Sequence, residues 1–191
     1  MSNKLLNKFL LVKSKIPTYI KYYLNKRKLP FEYTKLEYIQ SGSTQYIDTG
    51  VNADYKLSII AEISILNTGS IGALKNAGSN TYIRHHFNNS NNRVAYYYNT
   101  VNVTLLNPYD DKKHRFNIDI YNKEIQVDNE EKRTINYTNF DTELNYWLFI
   151  RNSNSSNLKQ SMPMRLYSFK MYYENELVRD FIPCYRKSDN E

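Results

Sequence analysis

From residue 35 onward apolar residues recur at every second position, and that period limits the chain to extended strands with one buried face each. In KLSIIAEISIL (56–66), Leu57, Ile59, Ala61, Ile63 and Ile65 share one side, with Ser58, Glu62 and Ser64 on the other. KHRFNIDIY (113–121) sets Phe116, Ile118 and Ile120 against Arg115, Asn117 and Asp119. MRLYSFKMYY (164–173) sets Tyr167, Phe169 and Met171 against Ser168 and Lys170. One-sided strands suit antiparallel sheets packed face to face.

Asn- and Ser-rich breaks separate these runs: NTGS (67–70), KNAGSN (75–80), NNSNN (88–92), NPYDDKK (107–113) and NSNSSN (152–157). About a dozen strands fit at roughly 8–12-residue spacing, with no helix after residue 33. The expected fold is all-β, a two-sheet antiparallel β-sandwich of jelly-roll type. Trp147, Phe149, Phe116, Phe169 and the Ile-rich strand are the candidate core. Cys184 is the one cysteine, which excludes an internal disulfide and a zinc cluster of the usual kind.

The formal charge of +7 is not spread evenly. Residues 1–32 hold eight basic side chains against Glu32 alone, whereas residues 33–191 hold 18 of each sign. The chain therefore divides into a basic leader, 1–33, and an electrically balanced domain, 34–191. Within NKLLNKFLLVKSKIP, Leu5, Leu6, Phe9 and Leu10 fall on one helical face, with Lys4, Lys8 and Lys15 largely off it. A short amphipathic helix is expected there, ended by Pro17. The apolar run FLLV is too short for a signal peptide or a membrane span. Four roles fit such a leader: folding back on its own domain, docking in a partner's groove, lying on an anionic membrane, or touching phosphate. Partner docking ranks first, because the segment has few arginines and no nucleic-acid reading motif.

Three blocks carry a resemblance: LEYIQSGSTQYIDTG (36–50), LFIRNSNS (148–155) and RLYSFKMYYENELVRDFIPCYRK (165–187). Together they resemble the concanavalin A-like jelly-roll domain, related to the laminin G and lectin/glucanase type, found in tail, fibre and other virion proteins of bacteriophages. The family's opening runs approximately LEYI-x-S-x-G-T-Q-Y-I-D-T-G, and its closing strand K-I-Y-x-N-G-x-L-V-R-D-F-I-P-C appears here as KMYYENELVRDFIPC. Members usually carry a Gly-rich hairpin after the cysteine, whereas here Tyr185–Glu191 follow. The resemblance implies a virion location, other virion proteins as partners through residues 1–33, and no family-wide catalytic residue. In this reading Ser41-Gly42-Ser43-Thr44 joins two paired strands bearing Tyr38, Ile39, Tyr46 and Ile47. Asp48-Thr49-Gly50 then turns the chain outward, and Arg179 with Asp180 hydrogen-bonds at the sandwich edge.

The residues offer little chemistry. Glucanase-type hydrolysis needs two carboxylates on one strand face, and Glu174 and Glu176 flank Asn175 in what reads as a hairpin turn. His85 and His86 are adjacent, so on a strand they point apart, and His114 stands alone in the sequence. No catalytic residue, metal or cofactor is expected, and no nucleophile elbow or phosphate-cradling loop occurs. Glycan binding remains open. Tyr96, Tyr97 and Tyr98 place at least one ring away from the core, and Asn152 and Asn154 lie in an expected loop. Exposed tyrosines suit sugars and protein partners alike. The sequence thus supports a virion structural protein of fibre or decoration type, with a carbohydrate-binding adhesion module as the alternative; a homo-oligomer is compatible, and nucleic acid and membrane are not expected as partners.

Overall fold

The computed structural model describes the backbone of residues 29–42, 44–76, 79–88, 91–98, 101–105, 111–119, 122–136, 139–153 and 161–189, and their side chains outside 76–105. The expected leader helix lies outside the described residues. Those described are all-β, with no α-helix and one 3-10 turn at Lys187–Asp189.

Two seven-stranded sheets carry the structure. The first runs β11 (Arg133–Thr134), β10 (Glu124–Val127), β9 (His114–Asp119), β4 (Leu57–Ile65), β14 (Met164–Tyr173) and β15 (Glu176–Phe181). Strand β2 (Ile39–Ser41) pairs with the start of β14. The second runs β3 (Ile47–Asp54), β12 (Asp141–Leu148), β5 (Gly69–Asn76), β6 (Ser79–Asn88), β7 (Asn91–Tyr98) and β8 (Val101–Leu105). Strand β13 (Arg151–Ser153) adds a short parallel pairing to β5, and all other pairs are antiparallel. A two-stranded sheet joins β1 (Tyr33–Lys35) to β16 (Cys184–Arg186).

The alternation read from the sequence builds the core. Leu57, Ile59, Ala61, Ile63 and Ile65 of β4 are buried, as are Phe116 and Ile118 of β9. They form one cluster with Val51 and Ala53 of β3, Ile71 and Ala73 of β5, and Tyr146 and Leu148 of β12, so both sheets contribute to a common interior. Each large apolar side chain sealed there contributes roughly 1.5–3 kcal/mol over an exposed position.

Four sequence expectations are corrected. The Ser41–Thr44 stretch does not join paired strands: β2 belongs to the first sheet and β3 to the second, so the segment crosses between layers. Gln45 Oε1 accepts from Ser41 Oγ and Gly42 N at the crossing. Asp48-Thr49-Gly50 does not turn outward. It lies inside β3 as a bulge, since Trp147 pairs with Asp48 and Asn145 with Asn52. Gly50 takes φ +64°, which favours glycine, and its N–H bonds to Asp48 Oδ1. Trp147 is not in the core; its neighbours Tyr146 and Leu148 are, and the indole stacks on Tyr46 outside. Tyr167 does not share a face with Phe169 and Met171. A register shift between Leu166 and Ser168 reverses the phase, burying Met164 and Leu166 ahead of the bulge and Phe169 and Met171 after it.

At the far end of β14 a two-residue turn, Glu174-Asn175, has φ +49° and +67° and leads into β15. Positive φ at both positions suits the right-handed twist of a tight hairpin. Glu174 is held by the Lys56 ammonium.

Gly69 is fixed by close approach. A Cβ there would lie 1.9 Å from the Ser161 carbonyl oxygen and 2.6 Å from Met162 Cα, so backbone would have to move. Gly42 has nothing within 4 Å of its Cβ position. Gly69→Ala is expected to lower stability by about 3 kcal/mol, at the upper end of overpacking costs. Gly42→Ala should stay within about 0.5 kcal/mol of the wild type, as surface changes do. Urea unfolding of both variants checks the contrast.

Candidate functional site

The outer face of the first sheet carries an open trough of about 630 Å³ across β9, β4, β14 and β15. Strand parity chooses its floor: residues pointing away from the core on four neighbouring strands come into register there. One row runs from Arg115 through Glu62 to Ser168. The next runs from Ile60 through Lys170 to Asp180. Lys35 of β1 and Ile182 line one side, and Tyr172 with Leu177 lines the end beyond Lys170.

Charges of both signs line this trough, Lys35, Arg115 and Lys170 with Glu62 and Asp180. Lys170 Nζ lies 3.9 Å from Asp180 Oδ2, with the Asp180 side chain 6% exposed and that of Lys170 42%. Lys113 Nζ lies 3.9 Å from Glu62 Oε2 and 5.4 Å from the Tyr167 ring centroid. Tyr167, turned outward by the bulge, forms a hydrogen bond with Ser64 Oγ at 3.2 Å. Its ring lies 5.5 Å from that of Tyr38, over which Arg165 is placed at 5.1 Å. Cations over tyrosine faces hold the rings in place while keeping the ammonium and guanidinium groups in contact with water.

A different role falls to the closing sequence block. Arg179, opposite Met171, points inward and crosses to the second sheet. Its Nε donates to the Thr49 carbonyl at 2.9 Å and its Nη1 to the Val178 carbonyl at 2.8 Å. Thr49 Oγ1 in turn donates to the Tyr146 carbonyl at 2.7 Å. The expectation for Arg179 at the sandwich edge matches this bond. Asp180, one residue on, faces the opposite way into the trough, because neighbours on a strand alternate.

Other sequence candidates fall in different places. Leu5, Leu6, Phe9, Leu10, Lys4, Lys8, Lys15 and Asn154 lie outside the described residues. Asn152 does not lie in an open loop: it is buried in β13 and donates to the Asn145 carbonyl at 2.9 Å, which ties β13 to β12. The Tyr96–Tyr98 run lies in β7 of the second sheet. Position 97 is in register with Tyr82, Tyr82 with Gly72, and Gly72 with Trp147. Position 96 aligns through Ile83 with buried Ile71, and position 98 through Thr81 with buried Ala73. Position 97 thus falls in the same register row as Trp147, whose ring stacks on Tyr46 at 4.2 Å and 17°.

His114 is not isolated in space. Its Nδ1 lies 2.7 Å from Asp128 Oδ2, and Asp128 Oδ1 accepts from Arg115 N, so the pair fastens the end of β10 to the start of β9. Among the described residues no three His, Cys, Asp or Glu side chains are grouped to hold a metal ion. Glu174 and Glu176 sit at the β14–β15 turn, with Glu174 engaged by Lys56.

No family model matches the chain, and no curated protein matches it at a significant level.

A second tie between the sheets lies at the Tyr173 end. The Tyr173 hydroxyl donates to Asp54 Oδ2 at 2.6 Å, and Asp54 Oδ1 accepts from Lys56 N. Burial, then the hydrogen bond and negative charge of Asp54, hold the phenol well above its ordinary pKa of 10.0. In the unfolded chain Tyr173 loses its proton near pH 10 while the folded chain keeps it. Its stabilising contribution is therefore complete below pH 10 and is lost as pH rises further. Tyr173→Phe is expected to cost about 1–2 kcal/mol at pH 7 through the lost hydrogen bond. The variant should also show a shallower fall in stability above pH 10. Urea unfolding at pH 7 and across pH 9–11 measures both.

Proposed function

We propose that this chain is a bacteriophage virion structural protein of fibre or decoration type, held to the particle by its basic leader and displaying a concanavalin A-like jelly roll. The observation that carries the reading is the segregation of charge: the whole excess of +7 lies in residues 1–32, ahead of a domain with 18 charges of each sign. A cationic amphipathic segment joined to a balanced domain suits attachment at one end and presentation at the other. The three-block resemblance supports the same assignment. Two of those blocks meet in space, the Thr49 carbonyl of the first accepting from Arg179 of the last, so their residues serve the fold. We propose no catalytic role, in keeping with Glu174 and Glu176 standing at a hairpin turn.

Strand β1 begins at Tyr33, and the Glu32 carbonyl accepts from Lys187 N, so a truncation that respects the domain removes residues 1–28. That variant is expected to be soluble, with the unfolding midpoint of the full chain, and to be missing from purified particles. Incorporation at the wild-type level, read by immunoblot of gradient-purified virions, would remove the attachment role.

A second reading, a carbohydrate-binding adhesion module, is favoured by ring-bearing outer surfaces. Tyr46 is 46% exposed on its stack with Trp147, and Tyr167 and Tyr172 line the trough of the other sheet. Rigid rings with a polar tip are suited to the apolar faces and hydroxyls of sugars. The two readings are compatible in one particle.

A further inference from the structure

We infer that the trough on the outer face of the first sheet is a binding site for a neutral, hydroxyl-rich oligosaccharide; this rests on the carbohydrate-binding reading and gives it a place and a ligand class. The reasoning starts from the sign pattern of the floor. Arg115 and Glu62 are opposite one another in one row, and Lys170 and Asp180 in the next. An anionic ligand laid across both rows meets two carboxylates, and a cationic one meets basic groups in each. A sugar hydroxyl donates and accepts, so it finds a partner at each charged or hydroxyl position of the floor, Arg115, Glu62 and Ser168 in one row and Lys170 in the next. Ser168, in register with Glu62, extends the same mixed capability.

The apolar part fits as well. Tyr172 and Ile60 give the floor ring and aliphatic surface, which suits the C–H face of a pyranose, with Tyr167 at the margin. The volume of about 630 Å³ lies within the roughly 300–1,000 Å³ of small-molecule sites, room for roughly two or three sugar rings. The open shape suits an internal stretch of a longer chain, which can enter and leave at both ends. Asp180 is almost sealed from water beside the more exposed Lys170, so the Lys170 ammonium is the donor of the pair that a ligand reaches, and Asp180 holds it in place before one arrives. Preorganised polar groups of this kind raise affinity by reducing the ordering cost of binding.

The test uses the full chain and neutral trisaccharides of glucose, mannose and galactose, with a uronate trisaccharide as the charged counterpart, and calorimetry as readout. Lys170→Ala and Tyr172→Ala are compared with Tyr97→Ala, each checked for an unchanged unfolding midpoint. Lys170 is the safer probe because its side chain is 42% exposed. The expected result is binding of at least one neutral trisaccharide, weakened tenfold or more by Lys170→Ala and by Tyr172→Ala, and unchanged by Tyr97→Ala. Binding that survives both trough variants but is lost in Tyr97→Ala overturns the trough while leaving carbohydrate recognition standing. Binding of the uronate alone overturns the neutral ligand class. No saccharide binding at millimolar concentration overturns the carbohydrate reading itself, and the trough assignment with it.

Discussion

One guanidinium holds the two layers in their relation along the β3 side. Arg179 leaves the first sheet beside Met171 and reaches the Thr49 carbonyl of the second, while a further nitrogen is satisfied by its own neighbour Val178. A charged group at the margin of an apolar interior is costly unless its donors are matched, so its partners must be fixed in advance. The Asp48–Gly50 bulge does that. It releases the Thr49 carbonyl from the strand ladder, and Thr49 Oγ1 secures the loop to Tyr146. At Gly50 a Cβ would come within 3.4 Å of Arg179 Nη2 on a backbone already at φ +64°. The D-T-G and V-R-D stretches are thus two halves of one fastening, separated by about 130 residues of chain.

The bulges also decide which side chains of β14 face outward. At the Leu166–Ser168 shift in β14, the extra residue moves Tyr167 from the inner row to the outer face. Without that shift, either Tyr167 or the Phe169–Met171 pair would be on the wrong side, because strand side chains alternate strictly. The second shift, between Met171 and Tyr172, leaves Arg179 facing inward and Asp180 and Leu177 outward on β15.

Charge is handled differently in the two parts of the chain. In residues 1–32 it accumulates with one sign, so a contact of this segment with an acidic surface would weaken as salt rises. In the domain it is paired locally: Lys56 with Glu174, Lys132 with Glu124, Lys75 with Glu143, His114 with Asp128. Exposed pairs of this type contribute little to stability. Their consequence is that neither sign accumulates among these described groups.

The sequence alone determined the fold class, because period-two alternation in the β4 and β9 segments permits only strands with one buried face. It also determined the split between leader and domain, since charge can be counted without coordinates, and the Glu174-Asn175 turn. It could not reveal that β2 and β3 belong to different sheets, because adjacent strands carry the same alternation whether they pair or cross over. Nor could it place Trp147 outside and Tyr146 inside, or reverse Tyr167. A bulge shifts parity by one residue, and it is set by which strand lies alongside, not by the local residues. The pairing of Asn152 with Asn145 and the meeting of Asp180 with Lys170 are likewise contacts between separate strands. Only the tertiary arrangement fixes them, because strand register is decided by the partner strand.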